Sequence, residues 1–156
     1  MSSKEAFTKA TKVRAKAYAY FFEEMAKEVG TDKAMIIFSR VTYRMGQEKA
    51  KQFSEEAKRS AKKLAEEFIA DPVGSIVFAQ SILEADEDHA KIEMKGCPLV
   101  EMWEEMELSE DQICRMCDMA YRIDFGTIES LGYELVFPTR IACGEPSCIL
   151  EIKKKK

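Results

Sequence analysis

No cysteine occurs in the first 96 residues, and the 156-residue chain has one histidine and one tryptophan. A Cys–His nucleophile pair would therefore have to use His89. No apolar run approaches the roughly 20 residues that span a bilayer, so no membrane partner is expected. Met1-Ser2-Ser3-Lys4-Glu5 lacks the apolar segment of a secretory signal, which makes the cytoplasm the expected compartment. There is no internal repeat and no low-complexity linker. The net charge of -4 argues against general nucleic-acid affinity.

What is present is enough for one folded unit. Hydrophobic residues make up 46% and charged residues 33%, so 1–156 is expected to be a single domain with its own core. The charge is unevenly spread. Residues 1–69 hold 15 Lys/Arg and 10 Asp/Glu, residues 70–152 hold 5 and 18, and Lys153 to Lys156 close the chain. Such an asymmetry suits docking of one half on the other, or between subunits.

Residues 1–89 read as mainly helical. Phe7, Val13 or Arg14, Ala17, Phe21, Met25 and Val29 recur at three- and four-residue steps, and Gly30 fits the position after a helix. Thr31 and Asp32 open a second helix that the pattern carries from 32 to about 69, with a kink near Gly46. Asp71-Pro72 starts a third over 72–85. Glu84, Asp86, Glu87 and Asp88 then crowd around His89, which reads as a solvated residue more readily than as a catalytic one.

Residues 90–153 form the cysteine-bearing α+β part. Alternation predicts strands near 91–96, 133–141 and 147–153. A short helix is expected over 99–107. Ser109-Glu110-Asp111-Gln112 is a capping box opening a helix to about 125, and Gly126 and Gly132 bracket a loop. The fold class is α+β: an N-terminal helical layer packed on a small, mainly antiparallel sheet. The long amphipathic helices also suit a homo-oligomer interface.

The five cysteines are Cys97, Cys114, Cys117, Cys143 and Cys148. An odd number without a signal peptide favours thiols or metal ligands over a disulfide framework. Gly144-Glu145-Pro146-Ser147 reads as a hairpin loop that sets Cys143 opposite Cys148. Cys114 and Cys117 share one side of a helix. Two such pairs are the ligand set of a tetrahedral zinc or iron centre, with Cys114, Cys117, Cys143 and Cys148 as ligands. The same residues suit a catalytic thiol or inert buried thiols, and the residues alone leave all three open. Arg115, Arg140 or a helix terminus would activate a thiolate. Asp118 and Asp124 would serve as general acid or base if partly buried. Trp103, Tyr121, Phe125 and Tyr133 would line a pocket or fill the core.

The stretch from Cys97 to Ile152 resembles the L-2-amino-thiazoline-4-carboxylic acid hydrolase-like family. Cys97-Pro98 after a short strand, an acidic capped helix with Cys114 and Asp118, and Gly144-Glu145-Pro146-x-Cys148 before a final apolar strand carry the likeness. That last turn is also similar to the Gly-Asp-Pro-x-Cys-x-Phe turn of vinyl-reductase-type ligand-binding domains, with Glu145 and Leu150 as departures. The resemblance implies a hydrolase that opens a cyclic amidine-like C–N bond of a small carboxylated substrate to give N-carbamoyl-L-cysteine. It places Cys97, Cys114, Asp118 and Cys148 around the reacting centre. Arg115 or Arg140 would grip the carboxylate, with Trp103 and Tyr121 lining the pocket. Cys117 and Cys143 lie outside the family pattern and keep the metal reading open. The alternatives are a cysteine-based metal- or small-ligand-binding protein without turnover, and a structural or interaction protein.

Overall fold

The computed structural model describes residues 1–156 and has an α+β architecture. Two long helices, α1 (Ser3–Val29) and α2 (Thr31–Ala50), are joined at Gly30. Gly30 has φ 86°, a left-handed conformation that glycine adopts without strain. Ser2 caps α1 through a complete capping box with Glu5. Then come α3 (Ala61–Phe68), α4 (Pro72–Val77), β1 (Gln80–Ala85) and β2 (His89–Met94). They are followed by α5 (Pro98–Glu105), α6 (Glu110–Ala120), α7 (Arg122–Ser130), β3 (Tyr133–Thr139) and β4 (Cys148–Lys154). The sheet is antiparallel throughout, in the order β1-β2-β4-β3.

Two apolar clusters hold these layers. One packs α3 under the sheet, with Leu64, Phe68, Ile92, Tyr133, Leu150 and Ile152 at its centre. The other joins α1 and α2 to α5 and α6 through Ala15, Phe38, Trp103 and Met119. Burial of such side chains contributes roughly 1.5–3 kcal/mol each, which makes these clusters the main stabilising element. Buried Trp103 also donates from Nε1 to the Ala15 carbonyl at 2.9 Å, fixing α5 against α1. Lys12 of α1 reaches Glu101 and Glu105 of α5 at 3.4 and 2.5 Å, so basic and acidic halves meet across two ion pairs.

Four local expectations differ from the structure. The helix predicted over 32–69 stops at Ala50 and resumes at Ala61. There is no need for a kink at Gly46, because the chain turns completely over 51–60. Ser54 donates to the Glu67 carboxylate and Ser60 caps α3, bonds that serine forms readily outside a helix. The turn brings Ala57 and Leu64, both fully buried, beneath the sheet.

Residues 80–85 form an edge strand, whereas the periodicity predicts helix. Ala79, at φ 47°, ends the helical path. Asp86 then accepts from the amides of Asp88 and His89, both at 2.8 Å, and turns β1 into β2. The acidic cluster around His89 is thus hairpin chemistry, and His89 sits exposed at the start of β2.

The helix predicted to 125 breaks at Tyr121, and Gly126 lies inside α7 with no part in a loop. Finally, Cys143 and Cys148 are not cross-strand neighbours. β3 ends at Thr139, a 3₁₀ turn (Ile141–Cys143) follows, and Cys148 pairs with Met94 on β2.

Candidate functional site

A cavity of about 240 Å³ lies between the helical layer and the sheet. Its walls come from both layers. α1 supplies Arg14, α2 Lys49, α5 Trp103, α7 Asp124, β3 Phe137 and β4 Cys148. Cys97, Cys117 and Tyr121 complete the thiol-bearing side. An apolar cavity of about 150 Å³ accepts benzene, so this one holds a single ring with substituents. It falls below the roughly 300–1,000 Å³ usual for drug-sized ligands.

The three thiols are free, with Cys148 buried and Cys97 and Cys117 half-buried. Burial pushes Cys97 up to about 11, against opposing hydrogen bonds from the amides of Val100 and Leu99. Burial pushes Cys117 up to about 12, with the Arg140 guanidinium opposing it in part. Cys148 is raised for the same reason, although the Ile141 amide donates to its sulfur at 3.3 Å. All three are therefore protonated near neutral pH, the unreactive form of a thiol.

Asp124 is the acidic group of the cavity. Protein atoms surround its carboxyl, while part of the residue keeps surface open to the cavity. Burial raises its pKa, and the more distant charges of Lys49 and Arg14 oppose the shift. No hydrogen bond or ion pair within 4.0 Å engages the Asp124 carboxyl, and neither cation has a carboxylate within that distance. Lys49 rests its Nζ 4.8 Å from the Phe68 ring, and Arg14 lies 5.9 Å from that of Tyr18. One acidic and two basic side chains, none in a close ion pair, thus border one small, mainly apolar space.

The residues expected from the sequence divide into two groups. Cys97, Cys148, Trp103 and Tyr121 line the cavity, as does Cys117. Asp118 and Arg140 lie behind its wall. Arg140 Nη1 approaches Asp118 Oδ1 to 2.7 Å, at an angle too poor for a hydrogen bond, and its guanidinium stacks 4.6 Å from the Tyr121 ring. Arg115 lines a separate groove between α1 and α6. Cys114 is bonded to Cys143 in a disulfide, so it is no free nucleophile.

This disulfide also corrects the expectation that the cysteines are all thiols or ligands. The four-cysteine zinc or iron set is not assembled: two members bind each other, while Cys117 and Cys148 face the cavity. No three His, Cys, Asp or Glu side chains converge as a metal site. The reason is the 3₁₀ turn, which swings Cys143 away from Cys148 and onto α6.

Sequence reasoning missed Lys49, which lies far from the cysteines in the chain. Arg14 left a trace, since it falls on the apolar period read along α1, although the residue keeps an exposed surface beside the cavity. Asp124 was recognisable as a candidate acid or base only on the condition of burial, which the structure meets.

Comparisons with known proteins place this geometry. The chain is similar in structure to a trafficking protein particle complex subunit 3 from Naegleria fowleri covalently bound to palmitic acid. That match has a TM-score of 0.65 at 16% identity, covering 94% of this chain and 96% of the other. It is also similar to the phenol-responsive sensory domain of the transcription activator PoxR, solved with phenol. There the TM-score is 0.54 at 16% identity, over 90% of this chain and 73% of that one. At such identity the likeness concerns the fold alone. No curated protein matches in sequence. The family model for L-2-amino-thiazoline-4-carboxylic acid hydrolase matches residues 10–151, including α1 and α2 as well as the cysteine-bearing part. The chain therefore belongs to the L-2-amino-thiazoline-4-carboxylic acid hydrolase family, over nearly its whole length and not the C-terminal third alone.

Proposed function

We propose that the cavity binds a small ring carrying both an amidine and a carboxylate, of the 2-amino-thiazoline-4-carboxylate type, and opens that ring with water. The observation that carries this reading is the placement of Asp124, Arg14 and Lys49, all unpaired, on one small cavity. A cationic amidine complements the Asp124 carboxylate, and the substrate carboxylate complements the Lys49 and Arg14 cations. Desolvation strengthens both contacts.

The proposed chemistry runs through Asp124 and not through a thiolate. A carboxyl with a raised pKa is suited to accept a proton from water and to return it near neutral pH. Water adds to the ring carbon between nitrogen and sulfur. To give an N-carbamoyl product, the C–S bond breaks, the C–N bond is kept, and the proton passes to the departing sulfur. This differs from the C–N cleavage expected from the sequence. The protonated thiols Cys97, Cys117 and Cys148 then shape the cavity wall.

The test is turnover of L-2-amino-thiazoline-4-carboxylate by purified protein, followed as N-carbamoyl-L-cysteine. Wild type and a C97S/C117S/C148S variant should both turn over, and D124N should lose activity by about 10²–10⁴-fold. An active D124N with an inactive triple-serine variant would reverse the assignment.

A second reading rests on the apolar walls and the closed thiols: binding of a small ring without turnover. The sensory domain solved with phenol gives it a precedent in the same fold. Calorimetric binding of phenol or of the thiazoline without product formation would select this reading.

A further inference from the structure

The Cys114–Cys143 disulfide belongs to no step of the proposed chemistry, yet it holds the segment that closes the cavity. Cys114 lies on α6, one turn before Cys117, and Cys143 ends the 3₁₀ turn between β3 and β4. Phe137 precedes that turn, Cys148 follows it, and both line the cavity. The connection is fastened to the helices at two points: the disulfide, and Arg140 reaching Asp118 and Tyr121. Cys143 is exposed and Cys114 half-buried, so an external thiolate meets Cys143 first. By contrast, the three free thiols line the cavity.

We propose that Cys114–Cys143 is a thiol–disulfide exchange site whose partner is a dithiol reductant, and that its reduction loosens the β3–β4 wall of the cavity. The partner's thiolate attacks Cys143 Sγ, the S–S bond breaks, and Cys114 leaves and takes up a proton. The partner's second thiol then displaces Cys143 as a thiol. The protein gains two electrons and two protons, and the dithiol becomes a disulfide. The regulatory consequence rests on the cavity being the ligand site, but the exchange itself does not.

The test uses the full chain and iodoacetamide, with cysteines mapped by mass spectrometry. Oxidised protein should hold three free thiols and five after dithiothreitol, matching the free and bonded cysteines of the structure. Reduction should speed alkylation of Cys117 and Cys148 by about tenfold, as the wall opens locally. C114S/C143S should show the fast rates without reductant. Should that variant not fold, the wild-type rates before and after reduction carry the test alone. Five free thiols under oxidising conditions, or equal rates in both states, would overturn the proposal. Because neither readout uses turnover, failure of the hydrolase reading leaves this test intact.

Discussion

Gly46 of α2 and Gly126 of α7 face each other where the two helices cross. A Cβ on Gly46 would lie 2.0 Å from the Ile123 carbonyl oxygen, and one on Gly126 would lie 2.0 Å from that of Tyr43. These contacts are with backbone, so a side chain cannot swing aside. Thr127 closes the same crossing by donating to the Gly46 carbonyl at 3.2 Å. The crossing sets α2, with Lys49, against α7, with Asp124.

It follows that G46A and G126A should each destabilise the protein. Alanine gains about 1 kcal/mol of helix propensity over glycine. Overpacking costs about 1–3 kcal/mol or more, and separation of two backbones lies at the upper end. A fall in the chemical-denaturation midpoint is expected for both variants. An unchanged or raised midpoint would show that the helices separate freely.

D124N should stabilise the fold while removing its proposed chemistry. The folded pKa of Asp124 is raised above the ordinary value of 3.8, chiefly by burial. A raised carboxyl pKa means that the folded state favours the protonated form. Its contribution is therefore intact below about 3.8 and is lost as the pH rises through the folded pKa. At pH 7 the asparagine variant should be the more stable of the two. That gain should shrink as the pH falls toward 3.8. Denaturation at several pH values measures it, and a gain independent of pH would contradict the burial of this charge.

Alkylation of the native protein should be slow and steeply dependent on pH. With Cys97 at about 11, only about one thiol in a thousand is ionised at pH 8. Cys117, at about 12, should react more slowly still. Rates should rise about tenfold per pH unit up to pH 10 without a plateau. A plateau near pH 7 would identify an activated thiolate and return the cysteines to the centre of the mechanism.

Tyr133 should prove structural. Its buried hydroxyl donates to the Ala57 carbonyl at 2.9 Å, tying the turn after α2 to the sheet. Y133F leaves that carbonyl without its partner and should cost about 1–2 kcal/mol. Turnover of the variant, measured well below its melting point, should equal that of wild type.

Much of the fold follows from short-range signals. The Ser109 capping box, Gly30 after α1 and the Asp71-Pro72 start all appear where local chemistry demands them. These features need only three or four neighbouring residues, so a linear reading finds them. β3 and β4 were visible for the same reason, through alternating burial. β1 was not, because a short apolar run has no decisive period until β2 pairs with it. The turn at 51–60 was hidden by strong helix formers, which yielded to the burial of Ala57 and Leu64.

The site divides along the same line. The sequence by itself determined the α+β class, the clustering of the cysteines in the C-terminal half and a candidate acid at Asp124. Only the tertiary structure decided that Arg14 and Lys49 reach the same cavity, that Cys143 bonds Cys114, and that Arg140 faces Asp118. Each of these depends on how helices cross and where a connection folds back, distances that no spacing along the chain encodes.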